Sequence, residues 1–490
     1  MRHTRPSGGR RATRRTRALP HRAARCALLV AAPDGQVYAH PDLDLVVDDG
    51  VAPRPAEPAD LSPLPPGWEL MQLPATRPLG FDRATGRIEV VDRCDLGGVT
   101  FEPRAVAVHP PPGFVRTHLP AARYLGEGWI APTVRDPGEG RPGLPLWAYT
   151  AVGATGATHA AALFQADELS RWAPELYGTP DLTQRVAQRL RAEPDNRVLG
   201  QLARCALDYG CRCAQNIFYR RWEGALPTAP ACNAACLGCL SKAPEWEAPV
   251  PQYRLRFTPT TAEISDVIVH HLERAPEPMI SFGQGCEGEP TLNGGLLVEA
   301  IRQARARTAR GVINLNSNGS RPKVVLDAVQ AGVGAVRISV NSFDEAVFRA
   351  YFRPDGFGLN ELIESLRLAH DAGAYTSINL LLWPGWTDRR AELDAVSALC
   401  DEGCLDMVQL RNLCLDPAHY QRVLPVERGQ RLGLRGFVLE LAARHPRLRF
   451  GTFNPRLAAP WYREVPPLPC SPLPAAAPRR RAPARGPRHG

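Results

Sequence analysis

Three cysteines stand within eight residues, in the segment Ala231-Cys232-Asn233-Ala234-Ala235-Cys236-Leu237-Gly238-Cys239. A short loop can wrap three soft thiolates around one iron–sulfur cube. Four irons need four ligands, so three thiolates leave one iron for a ligand that is not protein. The alternative is a structural zinc site, which wants four protein ligands and often paired Cys-x-x-Cys knuckles. Only one such pair is present, offset by Cys232, and the spacing favours the cluster. Cys286 lies elsewhere, three residues before Glu289. It can donate a hydrogen atom, ligate metal, or serve as a small buried hydrophobe. Cys205, Cys211 and Cys213 match no common ligand pattern, and an auxiliary metal site there stays open. Cys400, Cys404 and Cys414 carry a weaker signal, and the twelve His show no metal spacing.

The elements around this loop alternate. Thr260-Thr261-Ala262-Glu263 is a capping box, followed by Ile264, Val267, Ile268 and Leu272 on one helical face. Strands are expected at Met279–Phe282, Val312–Leu315, Val336–Val340, Ser377–Leu382 and Met407–Leu410. Helices fall between them, one opening at Pro322, one long stretch running through Leu362, Leu366 and Ala369, and a last one near 431–444. Ile217-Phe218-Tyr219 is expected to be the first strand. This alternation predicts an α/β chain, with a parallel sheet and helices outside it. Five or six units make a partial (β/α)6 barrel, open on one side, whose ligands bind at the carboxyl ends of the strands. Most polar clusters fall there: Gly288-Glu289-Pro290, Asn316-Ser317-Asn318-Gly319, Ser339 and Asn341, and Asn379.

Cys-x-x-x-Cys-x-x-Cys at the mouth of repeated strand–helix units resembles the radical S-adenosylmethionine superfamily. The resemblance covers about residues 228–420. Phe282 to Pro290, reading Phe-Gly-Gln-Gly-Cys-Glu-Gly-Glu-Pro, is similar to a bacterial branch with no assigned substrate. The resemblance implies that Cys232, Cys236 and Cys239 hold a 4Fe-4S cluster whose open iron chelates S-adenosylmethionine. It implies that Gly288, Glu289 and Pro290 hold the cofactor's amino group. Asn316, Ser317 and Asn318 would meet the ribose, though Asn318-Gly319 is also a strong turn dipeptide. Ser339 and Asn341 would lie near the ribose and carboxylate, and Asn379 would point into the barrel. Arg337 is either a carboxylate partner or a surface ion pair. The implied chemistry is reductive cleavage of S-adenosylmethionine to a 5′-deoxyadenosyl radical, which takes hydrogen from an unknown substrate. A one-electron reductant such as flavodoxin or ferredoxin would feed it. Two departures stand out. Gly238 replaces the aromatic residue usual before the third Cys, and Glu287 replaces a Gly.

The rest of the chain bounds these readings. Residues 26–160 read as a β-rich N-terminal region of short strands, among them Ile88–Val91 and Val106–Val108. Residues 161–227 read as a helical connector, and 228–455 as the partial barrel. Residues 1–25 carry nine Arg and no acid, and 471–490 carry five Arg and no acid. Removing those fourteen charges from the net +9 leaves the body at −5. The tails, 1–25 and 456–490, are therefore expected to be disordered basic extensions, and the acidic body counts against a nucleic-acid partner. A metal-stabilised scaffold or electron-transfer module without catalysis is one rival, and a nucleic-acid-modifying radical enzyme, for which the Arg tails are the only hint, is the other. No stretch approaches the roughly 20 apolar residues that span a bilayer, so no membrane partner is expected. Thirteen Cys without a secretory signal suit a reducing cytoplasm.

Overall fold

The computed structural model describes residues 25–65, 68–73, 75–125, 148–168, 170–242, 250–415, 417–425 and 429–457. Apart from Arg25 and residues 456–457, the two expected tails lie outside the described residues. Seven parallel strands form one sheet in chain order: β1 (Glu223–Ala225), β2 (Met279–Phe282), β3 (Val312–Ser317), β4 (Ala335–Val340), β5 (Tyr375–Leu382), β6 (Met407–Asn412) and β7 (Arg449–Gly451). The period of two divides their side chains between two faces. Ile280, Phe282, Ile313, Leu315, Ile338, Leu380 and Leu410 pack with helical residues such as Ile264, Leu297, Val325, Leu362 and Leu393 in one buried core. The register puts Ser281, Asn314, Asn316, Arg337, Ser339, Ser377, Asn379 and Gln409 on the opposite face. Met279, Val312, Ala335, Tyr375 and Met407 form an apolar floor on that same face. The sheet is thus dry outside and polar inside.

Three helices precede the sheet: α1 (Leu182–Ala192), α2 (Arg197–Leu207) and α3 (Arg212–Tyr219). The expected strand at Ile217–Tyr219 is the end of α3. Its apolar side chains are buried because Ile217 packs on Gly224 of β1, where a Cβ would meet its Cδ1 at 2.3 Å. A buried helix face and a short buried strand look alike in three residues. The outer helices are α4 (Thr261–Arg274), α5 (Gly294–Arg305), α6 (Pro322–Ala331), α7 (Glu345–Phe352), α8 (Leu359–Asp371), α9 (Arg390–Asp401), α10 (Pro417–Val423) and α11 (Leu434–Arg444). The long helix expected before Gly373 is two helices. Arg353 turns left-handed (φ 46) just before Pro354, whose ring disfavours a helical predecessor. The capping box on α4 forms as expected, with Thr260 and Glu263 each accepting from the other's backbone.

The barrel is partial, and with seven strands it exceeds the expected six. β1 and β7 do not pair. Side chains join their ends instead. Asn454, just after β7, donates Nδ2 to the Glu223 carboxylate on β1 at 2.8 Å. Arg337 donates to Gln409 at 2.6 Å and to Asn454 at 2.9 Å. Arg337 is therefore buried inside the barrel rather than in a surface ion pair. The connector seals the same gap. Asp167 accepts from the Phe453 amide at 3.0 Å, and Trp172 stacks on Phe453 with ring centroids 5.4 Å apart.

The N-terminal region is β-rich, with a twelve-stranded antiparallel sheet among the described residues. It docks on the carboxyl ends of β5 and β6. Asn412 donates to Phe114 O and accepts from the Arg116 amide, both at 3.0 Å. The tip at Gly50 lies so close to the chain after β5 that a Cβ would stand 1.8 Å from Pro384 O. No described helix is long and apolar enough to cross a membrane. Gly50 also has φ +87, so Gly50→Ala should cost more than about 1 kcal/mol. Urea unfolding should show the lower midpoint.

Candidate active site

Three loops meet at the carboxyl ends of β1, β2 and β3, and glycine lets them touch. A Cβ on Gly288 would lie 1.9 Å from Ala231 O, and one on Gly283 would lie 1.9 Å from Asn316 O. The cysteine loop is laced on both sides by backbone bonds. On one side Gly288 N donates to Ala229 O at 2.7 Å and Glu289 N to Ala231 O at 2.8 Å. On the other, Ala235 N donates to Phe352 O at 3.1 Å, Leu237 N to Tyr351 O at 3.0 Å, and Asp355 N to Asn233 O at 2.9 Å. The segment Tyr351–Pro354 is thus the brace of this loop.

Cys232, Cys236 and Cys239 are free thiols, each partly exposed. Their surroundings differ. Burial pushes Cys236 well above the ordinary thiol value and raises Cys232. Burial also acts on Cys239, but the Ser241 amide and the Arg254 guanidinium outweigh it and lower that thiol. Arg254 Nη2 lies 3.3 Å from Cys239 Sγ, and its Nε donates to Ser241 Oγ at 2.8 Å. Among the described residues, no three or more His, Cys, Asp or Glu gather tightly enough to hold a single metal ion. A cube asks for a different arrangement, because each thiolate takes its own iron and the sulfurs stand around the group. Three free thiols on one loop, one sulfur facing the Arg254 guanidinium at 3.3 Å and the loop closed against Gly288, fit that demand.

The predicted cofactor residues divide. Glu289 is buried, and its Oε1 accepts from Thr291 N, Thr291 Oγ1 and Ser317 Oγ at 3.1, 2.6 and 2.7 Å. Its Oε2 accepts from Asn318 N at 2.8 Å. A carboxylate oxygen has two acceptor directions, so Oε2 keeps one. Burial raises its pKa and these donors pull it back. Pro290 opens the short 3₁₀ turn Pro290–Asn293 that follows. Asn318 Nδ2 bonds Asn233 Oδ1 at 2.9 Å, tying the third loop to the cysteine loop. Asn316 and Ser317 are the last residues of β3 rather than a following loop. Asn316 is spent on Phe282 O and Asn314. Ser339 and Asn379 face each other across β4 and β5, with Asn379 Nδ2 to Ser339 Oγ at 3.3 Å, both half-buried on the inner face. Asn341 instead turns to Val347 O and the Tyr420 hydroxyl, each at 3.1 Å.

Cys286 is fully buried, and the nearby Cys205 thiol on α2 together with burial raises it well above the ordinary thiol value. It meets the connector, not the barrel interior. Cys213 lies near Glu223 and Cys211, and among the described residues the connector thiols belong to no cluster that could hold a metal ion. Glu287 is a clamp. It accepts from Thr228 N at 2.6 Å, Thr228 Oγ1 at 3.0 Å, Ala229 N at 3.0 Å, and also from Gly283 N. It thereby ties the exit of β1 to the exit of β2. Sequence reasoning missed Arg254, Ser241 and Arg116. None carries a spacing signal; each is defined only by what folds against it. Arg116 is fully buried, donates to Leu413 O at 2.6 Å and lies 5.0 Å from the Trp383 ring centroid. Cys414, the next residue after Leu413, presses its carbonyl on Gly238.

Two outcomes follow from this geometry. Gly288→Ala should push the cysteine loop off the β2 loop, lowering both iron uptake and the urea midpoint, at roughly 1–3 kcal/mol. Burial lifts Glu287 to about 7 from an ordinary 4.5, against its hydrogen bonds. The unfolded chain sheds that proton first, so stability should fall as pH rises from 4.5 to about 7 and level off above. Glu287→Gln should flatten that slope while costing about 1–3 kcal/mol for its mismatched donors, read by urea unfolding across pH.

With this geometry in place, comparison with known proteins is informative. Residues 226–395 match the model of the Radical SAM superfamily. No curated protein matches the chain in sequence. Among solved structures, methylornithine synthase (PylB) aligns at 14% identity and TM-score 0.32, covering 48% of this chain and 68% of that one. SuiB from Streptococcus suis, bound to S-adenosylmethionine, aligns at 12% identity and TM-score 0.34, covering 51% and 55%. The Escherichia coli coproporphyrinogen III oxidase (HemN) aligns at 16% identity and TM-score 0.31, covering 46% and 51%.

Proposed function

We propose that the protein, whose residues 226–395 match the Radical SAM superfamily model, is an enzyme that cleaves S-adenosylmethionine reductively through the loop of Cys232, Cys236 and Cys239. When bound, a reduced 4Fe-4S cluster supplies the electron that splits S-adenosylmethionine into methionine and a 5′-deoxyadenosyl radical, which takes hydrogen from the substrate. The chain's own residues bind, orient and exclude water. Glu289 offers the free direction of Oε2 to an ammonium group, a charge-assisted bond. Gly288 and Pro290 fix that carboxylate beside the cysteine loop. Ser317 and Asn318 hold Glu289 from the opposite side, and Asn316 shapes the strand end beneath them. Ser339 and Asn379 offer polar atoms on the inner face, where a ribose or substrate would lie. Asn341 acts at one remove, through the Tyr420 hydroxyl. For Cys286, contact with Cys205 favours packing over hydrogen donation.

The observation that carries this reading is that the segment leading into the three-cysteine loop, Ala229 to Ala231, is laced to Gly288 and Glu289 by two backbone hydrogen bonds. Free thiols and a low-potential cluster both suit a reducing cytoplasm, with flavodoxin or ferredoxin as electron donor. Anaerobic reconstitution with iron and sulfide, then dithionite and S-adenosylmethionine, should yield a brown protein that forms 5′-deoxyadenosine. Cys236→Ala should abolish both colour and product. A colourless protein holding only zinc, with no 5′-deoxyadenosine, would favour the scaffold role instead.

A further inference from the structure

Gly238 has no side chain because another element fills its space. A Cβ there would stand 3.0 Å from the Tyr351 hydroxyl, 3.6 Å from Cε2 of the same ring and 3.3 Å from Cys414 O. Tyr351 lies in the last turn of α7 and is 4% exposed. Its ring is held edge-on by Phe352, with centroids 5.1 Å apart, and by Tyr420 at 6.0 Å. Its carbonyl accepts from Leu237 N at 3.0 Å. The residue therefore grips the loop twice, by main chain at Leu237 and by phenol at Gly238. Cys236 and Cys239 flank those two positions in the chain, so the phenol abuts the loop between the two thiols. A phenol is a donor at any ordinary pH. Arg254 reaches the same loop at Cys239 Sγ, so the two donors differ in charge and in the element that carries them.

We propose that the Tyr351 hydroxyl donates a hydrogen bond to the sulfur shell of the cluster held by Cys236 and Cys239, and so raises its reduction potential. The inference rests on the radical SAM reading of the loop. Its physical basis is general: reduction adds negative charge to the cluster, and a fixed donor stabilises the more negative state. Tyr351 is thus a positioning and tuning residue rather than one that touches substrate. Its ring and its hydroxyl separate cleanly. The ring is fixed by Phe352 and Tyr420, and the hydroxyl, which lies nearest the Gly238 position at 3.0 Å, is the donor that tunes the potential beside Arg254.

Tyr351→Phe in the full-length reconstituted protein tests this. Iron content should stay at the wild-type level, and the cluster midpoint, read by potentiometric titration with electron paramagnetic resonance, should move to more negative values. Arg254→Met should shift it the same way, which checks that the titration reads a lost donor. Gly238→Ala should displace the phenol and give a smaller shift of the same sign. An unchanged midpoint in Tyr351→Phe overturns the proposal, as does loss of its iron, which would make the hydroxyl a structural brace. If wild-type protein forms 5′-deoxyadenosine while the Tyr351→Phe midpoint stays put, only this inference falls. If wild-type protein takes up no cluster, the functional reading falls with it.

Discussion

The contact on which the site depends is backbone against backbone at Gly288 and Ala231. No side chain fits between them, since a Cβ would lie 1.9 Å from the carbonyl oxygen. That approach brings the loop after β1 within hydrogen-bonding reach of the loop after β2, and the amides of Gly288 and Glu289 then pair with Ala229 and Ala231. Dispersion and hydrogen bonding act only at such separations. The same device recurs one strand on, where Gly283 meets Asn316 O. Each glycine removes a side chain so that two strand ends can be joined.

Buried carboxylates then lock what the glycines permit. An ionised carboxylate inside a protein is costly unless donors surround it. Glu287 and Glu289 offset part of that cost by collecting donors from separate loops: Thr228, Ala229 and Gly283 for one, Thr291, Ser317 and Asn318 for the other. Losing one donor would leave charge unpaired, so each carboxylate favours a single arrangement of the loops. Inside the barrel the same logic runs through Gln409, Arg337, Asn454 and Glu223, which link β6, β4 and the segment after β7 to β1. The open edge is thereby closed with polar side chains instead of a strand pair.

The N-terminal region belongs to this architecture as a support. Arg116 is buried, and burial pulls its guanidinium down to about 10. The Leu413 carbonyl and the face of Trp383 are what that guanidinium meets in place of water. Leu413 precedes Cys414, whose carbonyl rests on Gly238. Packing laid down some 115 residues upstream of the cysteine loop therefore reaches it through two steps of contact.

Much of this was legible in the amino-acid sequence, because local patterns report local physics. The Cys-x-x-x-Cys-x-x-Cys spacing, the alternation of apolar strands with helical faces, the Thr260–Glu263 capping box and the polar residues at strand ends all depend on neighbours close in the chain. Tertiary structure alone decided the rest. Ile217 is buried where Gly224 receives it, and β1 and β7, too short at three residues to show a period, are strands because they pair with β2 and β6. Arg337 is interior because Asn454 arrives from 117 residues away. That Glu287 clamps two strand exits together, and that position 238 is glycine, depend on Thr228 and Tyr351. No spacing encodes those partners, because each contact exists only once the chain has closed on itself.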